Sequence, residues 1–446
     1  MTSTRRVLLF APYFLPRRRV GSMRPFRFAI HLRSFGWEPV VVTIAAANQS
    51  LTPKEAHLLK DVEIIEIHPP FDRTNRSESQ LGAEGTVRSR RSPLIEQWGS
   101  VTSKLLSTID RQFPTDTWLL LFAAKYRELL AIVRRVDPDV LWVTGDPWSA
   151  LVTTERLARH FDLPWIADIR DPWTLSKMRV SRQWEISRRL DRFFERRVMS
   201  SADAIVFQAS MVEAAYRQYY SDLDIDTYVI RNSFDPCVFD DAITFEAAGA
   251  EQVSTDGRLR IGFFGRFRAM SPAALMIDAL HAVRRHDKEM AERIEVFSFG
   301  ALNEQDAAHA LEKGVFGNFH RSETVPLEKS LTVLRQFDLL LISTDLRRDQ
   351  IIPAKIFEYL AAGRPIVSLS LNTEVEEILT RTRTGLQLDP RHTDQVAIFF
   401  MECLRAMDEG EALPITFKPD ALEIARHEAR HTTRELAEIF DRFMGA

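Results

Sequence analysis

Two cysteines, Cys237 and Cys403, are all that 446 residues contain, and neither sits in a C-x-x-C spacing. That scarcity excludes a disulfide framework and a cysteine-built zinc site, and it fits a reducing, cytoplasmic setting. Long hydrophobic runs are also missing. Stretches such as 118–124 (WLLLFAA) fall far short of the roughly 20 residues that span a bilayer. The basic start MTSTRRVLLFAPYF is broken by Pro12 and Pro16 and carries no small-residue cleavage site, so no signal peptide is expected. Neither sign of charge dominates: the net is −3, which by itself points to no polyanionic partner. There is no P-loop, no G-x-G-x-x-G after a strand and no G-x-S-x-G. Aromatic residues do not interleave with the basic ones as a nucleic-acid platform requires, so no nucleic-acid partner is expected.

What is present is ordinary globular composition, 45 % apolar and 27 % charged, over a length that fits two or three domains. Short apolar runs alternate with helical periodicity. RVLLFAP (6–12), PVVVTI (39–44), DVLWVT (139–144), PWIADI (164–169) and AIVFQ (204–208) read as strands. Helices are expected over 23–35, 119–136, 150–160 and 185–199. Residues 72–93 read as a loop. After an irregular stretch, about 235–257, the pattern restarts with strands at 260–265, 294–299, 338–343 and 364–369 and helices at 272–285, 327–336 and 354–362. Two βαβ series predict an α/β chain of two Rossmann-like domains facing a cleft, with ligands at the carboxyl ends of the strands. The expected divisions are 1–235, 236–415 and a C-terminal helical segment, 416–446.

Charge separates the halves. Residues 1–230 hold 33 Lys+Arg against 27 Asp+Glu, or +6. With 59 and 62 in the whole chain, the remainder holds 26 against 35, or −9. The run Arg17, Arg18, Arg19 and the basic helix over 179–197 lie in the positive half, which favours an anionic acceptor or contact with an anionic membrane.

The segment 352–366, IPAKIFEYLAAGRPI, is the most informative. Pro353 suits a first helical turn, Gly363 ends the helix, and Lys355 and Glu358 share a face. Free N–H groups, the helix dipole and an ammonium converge there into an anion site, with a carboxylate one turn deeper. A surface Lys/Glu pair is the plainer alternative. Asp168, Arg170 and Asp171, at the end of PWIADI, place two carboxylates and a guanidinium at a strand's carboxyl end, either toward a ligand or as a local ion pair. Trp148 and Trp173 either stack on sugar faces or pack.

IPAKIFEYLAAGRPI resembles the donor-binding signature of glycosyltransferase family four. DIRDPWT (168–174) resembles the D-x-R-D-P-W motif of a subgroup, VIRNSFD (229–235) the segment between its domains, and IGFFGRF (261–267) the opening of the donor domain. The resemblance implies a GT-B fold with an acceptor-side N-terminal domain and a nucleotide-sugar-binding C-terminal domain. The final helix would pack back on the first domain. It further implies retaining transfer from a UDP- or GDP-type nucleotide sugar to a glycan or lipid-linked acceptor, as in polysaccharide biosynthesis, with no cofactor and no required metal. By position, Glu358 matches the ribose-binding carboxylate, Arg266 the diphosphate-binding arginine, and Gly21 a glycine that approaches the donor phosphates. Arg266, Lys355 and Asp171 are the catalytic candidates; Gly21, Asp168, Arg170, Gln350 and Glu358 are the substrate-binding ones. Three positions depart from the pattern. Ser271 stands where many relatives carry a second phosphate-binding lysine, Gln350 replaces a glutamate, and Arg170 aligns with a histidine carried after the fourth strand. These departures keep two alternatives open, a non-catalytic binding subunit and a sugar-nucleotide 2-epimerase.

Overall fold

The computed structural model describes residues 5–46, 49–69, 113–176, 183–240, 243 and 256–444; the loop expected over 72–93 lies outside them. The chain forms two compact units. The first holds Met1–Ile230 and Thr433–Ala446, the second Arg231–Thr432.

The first unit is built on a parallel sheet of β1 (Arg5–Phe10), β2 (Trp37–Ile44), β3 (Glu63–Ile67), β4 (Val140–Gly145), β5 (Trp165–Ile169), β6 (Ala204–Phe207) and β7 (Thr227–Val229), in the order β3-β2-β1-β4-β5-β6-β7. The central strands are apolar throughout because helices cover a parallel sheet on both faces. Every residue of β4, β5 and β6 is buried. β3 was absent from the expected strands. It is an edge strand, EIIEI, with Glu63 and Glu66 exposed and only Ile67 buried, so its sequence lacks the apolar run that marks its neighbours. With β3 counted, PWIADI is the fifth strand, and the residue that follows the fourth is Asp146. This moves Arg170 one strand away from the place the sequence reading gave it.

Several helices divide where one was expected. The stretch 119–136 forms Trp118–Ala124 and Tyr126–Val136, parted at Lys125. The helix after Gly21 runs as Met23–His31, tightens to a 3-10 turn at Leu32–Phe35, and stops at Gly36 with φ 81°, a left-handed conformation that a side chain resists. The chain's last residues belong to this unit. In the helix Ala429–Arg442, Asp441 accepts from Trp37 Nε1 at 3.0 Å and from Arg5 Nη1 at 2.7 Å, and Phe440 stands edge-on to the Trp37 ring.

The second unit repeats the plan with six parallel strands: β8 (Leu259–Phe263), β9 (Ile294–Ser298), β10 (Phe319–Arg321), β11 (Leu339–Ser343), β12 (Ile366–Leu369) and β13 (Gly385–Leu388), ordered β10-β9-β8-β11-β12-β13. Its core joins β8, β9 and β11 to the helices Ala274–His286 and Thr393–Glu409 through Leu259, Ile261, Leu280, Val296, Phe400 and Leu404. In both sheets the strand order reverses between the first strand and the one paired with it on the other side, β1/β4 and β8/β11. A doubly wound sheet opens a crevice beyond the carboxyl ends of that pair.

Candidate functional site

In the first unit the crevice residues come from the loops after β1, β4 and β5. Arg170 follows β5 and reaches over the end of β4, donating from Nε to Gly145 O and from Nη2 to Asp146 O, each at 2.9 Å. Gly21 lies against the same guanidinium: a Cβ there would fall 1.9 Å from Nη1 and 2.7 Å from Cζ. What the missing side chain admits here is therefore Arg170. Ser22 fixes the loop that carries Gly21, donating from Oγ to Arg17 O at 2.5 Å while Arg19 N donates to that Oγ at 3.3 Å.

Asp168 is fully buried, and Arg24 grips it from Nε (3.2 and 2.9 Å) and Nη2 (2.8 Å). An enclosed pair like this ties the helix Met23–His31 to β5, and removing one partner strands the other charge at a cost of about 3–5 kcal/mol. Asp171 is half-buried. The residues after it are anchored: Trp173 N donates to Tyr216 Oη at 2.8 Å and Thr174 N to Glu195 Oε1 at 3.0 Å. Trp173 is wholly buried and stacks on Trp148 with ring centroids 6.0 Å apart, so of the two alternatives it takes packing. The arginine run also splits. Arg17 is 2 % exposed and donates to Ala45 O, Arg18 pairs with Glu55, and Arg19 lies 4.5 Å from the Tyr13 ring centroid.

The structure adds residues that the sequence reading did not join. Tyr13 Oη accepts from Trp118 Nε1 at 3.1 Å. Asp116 accepts from the Ser149 hydroxyl, from Ser149 N at 3.0 Å and from Trp118 N at 3.0 Å. Burial, with the Asp146 charge adding to it, pushes the Asp116 carboxyl up to about 6 against the hydrogen bonds from Ser149. These residues come from three separate segments of the chain, and no spacing in the sequence links them.

In the second unit, β8 ends in Phe263 and turns through Phe264, Gly265 and Arg266. Phe264 N donates to Tyr359 Oη at 2.8 Å, and Tyr359 Oη donates to Leu341 O at 3.2 Å. One tyrosine of the helix Lys355–Ala362 thus holds that helix to β8 and β11 together. Its first residue, Lys355, places Nζ 3.3 Å from the centroid of the Phe263 ring. A Cβ on Gly265 (φ 126°) would lie 3.9 Å from that ammonium. Burial, reinforced by the nearby Arg268 charge, holds the Lys355 pKa well below its usual value, and Glu358 acts in the opposite sense. Glu358, one turn on, is buried. No side chain caps the helix start.

Arg266 is exposed and packs its stem along Gly300, where a Cβ would fall 2.6 Å from Arg266 Cγ and φ is 152°. Ser271 pairs with Arg268 in a tight turn, N to O in both directions at 2.8 and 3.0 Å, and Ser343 Oγ donates to Pro272 O at 2.6 Å. Gln350 is half-buried in the loop between β11 and the Lys355 helix. The sequence candidates therefore gather into two sets at the two switch points: Gly21, Asp168, Arg170 and Asp171 in the first unit, and Arg266, Gln350, Lys355 and Glu358 in the second. Among the described residues, no group of three or more His, Cys, Asp or Glu could hold a metal ion, and no helix is long and apolar enough to cross a membrane.

Residues 26–229 match the family model described as a glycosyl transferase 4-like domain, and residues 258–405 the one described as glycosyl transferases group 1. No curated protein matches the chain in sequence. Solved structures do match over nearly the whole length. Sucrose-phosphate synthase from Thermosynechococcus elongatus has a TM-score of 0.63 at 13 % identity, covering 99 % of each chain. The HepE protein of Anabaena, in complex with UDP, has a TM-score of 0.58 at 13 % identity, covering 98 % of this chain and 100 % of its own. A trehalose-6-phosphate protein from E. coli, bound with UDP-2-fluoro glucose, has a TM-score of 0.61 at 11 % identity, covering 98 % of this chain and 99 % of its own. These likenesses show the GT-B fold.

Proposed function

The chain belongs to the glycosyl transferases, with one 4-like and one group 1 domain, and from that premise we propose that it moves a sugar from a UDP- or GDP-type nucleotide sugar to a glycan or lipid-linked acceptor, with retention. The observation that carries this reading is the partly desolvated Lys355 ammonium, set against the Phe263 ring beside Gly265 at the start of an uncapped helix. A diphosphate placed there meets an ammonium and the positive end of the helix dipole. Charge grows on the diphosphate as the sugar leaves, so these groups bind the transition state more tightly than the ground state. Arg266 extends the cationic set from the end of β8, and Glu358 offers a carboxylate to the ribose hydroxyls. UDP and UDP-2-fluoro glucose, bound by two proteins of the same fold, support a nucleotide-sugar donor. Arg170 and Asp171 serve the acceptor, Asp168 holds their loop in place, and Gln350 contributes an amide to the donor sugar. The reaction needs neither cofactor nor metal. The positive N-terminal half favours an acceptor at the cytoplasmic face of an anionic membrane, in polysaccharide synthesis.

Calorimetry of free nucleotide and steady-state kinetics on Glu358→Gln and Lys355→Ala test the division of roles. Glu358→Gln should weaken nucleotide binding by about 1.5–3 kcal/mol. Lys355→Ala should lower turnover more than it weakens ground-state binding. Unchanged nucleotide affinity in Glu358→Gln removes the ribose role, and normal turnover in Lys355→Ala passes the phosphate role to Arg266 and Arg268.

A further inference from the structure

The helix Glu185–Ser201 is built inside out. Over its first three turns the side turned to the protein carries Ser187, Asp191 and Glu195, all buried; Val198 and Met199 are buried in the last turns. Asp191 accepts from Thr115 N at 2.5 Å and from Gln183 Nε2 at 2.9 Å. Glu195 accepts from Thr174 N at 3.0 Å, from Tyr216 Oη at 2.6 Å and from Tyr220 Oη at 2.7 Å. The opposite side carries Ile186, Leu190 and Phe193, which are 67 %, 40 % and 56 % exposed, with Trp184 just before the first turn at 65 %. Spacings of four and three residues set Ile186, Leu190 and Phe193 in one stripe. An isolated surface helix turns its apolar stripe inward. Here carboxylates are satisfied inside while Ile186, Leu190 and Phe193 face water, which leaves an apolar outer face for an occupant.

Charge identifies that occupant. The helix that carries the stripe also bears Arg188, Arg189, Arg192, Arg196 and Arg197. Glu185 is shared by the first three, Arg196 pairs with Asp222, and Glu155 is shared by Arg197 and Arg159. Six guanidinium groups thus meet three carboxylates. A second copy of this face would bring arginines against arginines. An anionic lipid surface satisfies both features, with phosphates for the guanidinium groups and the headgroup–acyl boundary for the stripe.

We propose that the outward face of the helix Glu185–Ser201 is an anionic-membrane docking surface, with Trp184, Ile186, Leu190 and Phe193 as its inserting side chains. This deepens the membrane part of the reading above and is independent of the transfer reaction. The test uses the full chain with vesicles of phosphatidylcholine alone and of phosphatidylcholine mixed with phosphatidylglycerol. The wild type should sediment with the mixed vesicles, release as salt screens the charge, and show a blue shift of its tryptophan emission that Trp184→Phe diminishes. Ile186→Ser/Leu190→Ser/Phe193→Ser should reduce binding by about tenfold or more, since each change withdraws apolar area from the interface. Its thermal unfolding and its thermal response to nucleotide sugars should stay at wild-type values, because these side chains already face water. Wild-type protein that stays in the supernatant with mixed vesicles at low salt overturns the proposal. So does equal binding by the triple variant, or a concentration-dependent dimer that the triple variant abolishes while vesicle binding persists. Loss of the nucleotide-sugar response in the wild type would count against the transferase reading and leave this one untouched.

Discussion

Replacing Gly21 by alanine forces a collision whose size can be worked out. The new Cβ would lie 1.9 Å from Arg170 Nη1. Non-bonded heavy atoms settle at about 3.5 Å or more, so the guanidinium must retreat by roughly 1.5 Å. That stretches the bonds to Gly145 O and Asp146 O, now 2.9 Å each, past hydrogen-bonding range. A hydrogen bond to a charged group contributes about 1.5–3 kcal/mol, but Arg170 is half-exposed and water replaces part of what is lost. The expected cost is about 2–3 kcal/mol, in the range found for overpacking. For a unit of this size that lowers its melting temperature by roughly 5–10 °C. The assay is thermal unfolding of Gly21→Ala, Arg170→Ala and the double variant. Without the guanidinium the collision disappears, so Gly21→Ala should cost less than about 0.5 kcal/mol in the Arg170→Ala background, a coupling of about 2 kcal/mol. If Gly21→Ala costs the same in both backgrounds, packing against Arg170 does not explain the glycine.

Tyr359→Phe removes the acceptor of Phe264 N and the donor to Leu341 O, and should destabilise the second unit by about 1–3 kcal/mol by leaving that N–H unsatisfied; denaturant unfolding measures it. Burial, with the Arg231 charge adding to it, lowers the His427 pKa from 6.5 to about 4. The unfolded chain therefore binds the extra proton first, and this stabilising contribution is present above pH 6.5 and lost as pH falls toward 4. Relative to His427→Gln, the wild type should lose up to about 3 kcal/mol across that window, and parallel acid titrations of the two would expose an absent difference. Turnover should persist in excess EDTA; a loss restored specifically by Mg²⁺ or Mn²⁺ refutes metal independence.

The alternation of apolar strands and periodic helices was enough to read an α/β chain with two parallel sheets, because a strand buried on both faces advertises itself in composition. β4, with VLWVTG wholly buried, illustrates this. Strands at the sheet edges did not announce themselves. Of β3 (EIIEI), β10 (FHR) and β13 (GLQL) only Ile67 is fully buried, so period and composition gave no clear signal. The Lys355 helix was legible to within a residue, since proline, lysine and glycine mark its ends in order. The bidentate Arg24–Asp168 pair was not, because its partners stand 144 residues apart and sequence spacing carries no information about such a contact. Asp116 and Tyr13 were hidden for the same reason. The inverted helix was read as basic and amphipathic, but which side faced inward depended on Thr115, Thr174, Tyr216 and Tyr220 supplying partners for its carboxylates.

The Trp37–Phe440–Asp441 contact sets an order of events in the chain's synthesis. The first unit starts at β1, yet part of its surface is supplied by Thr433–Ala446, which leave the ribosome after the whole of the second unit. At roughly 5–20 residues per second, the approximately 200 intervening residues take about 10–40 s to make. During that interval Trp37 lacks the Phe440 ring, and Trp37 and Arg5 lack the Asp441 carboxylate. The first unit therefore waits on the second for part of its packing. A chain stopped short of Phe440 never makes this contact, so an early stop removes packing from the first unit although the break falls after the second.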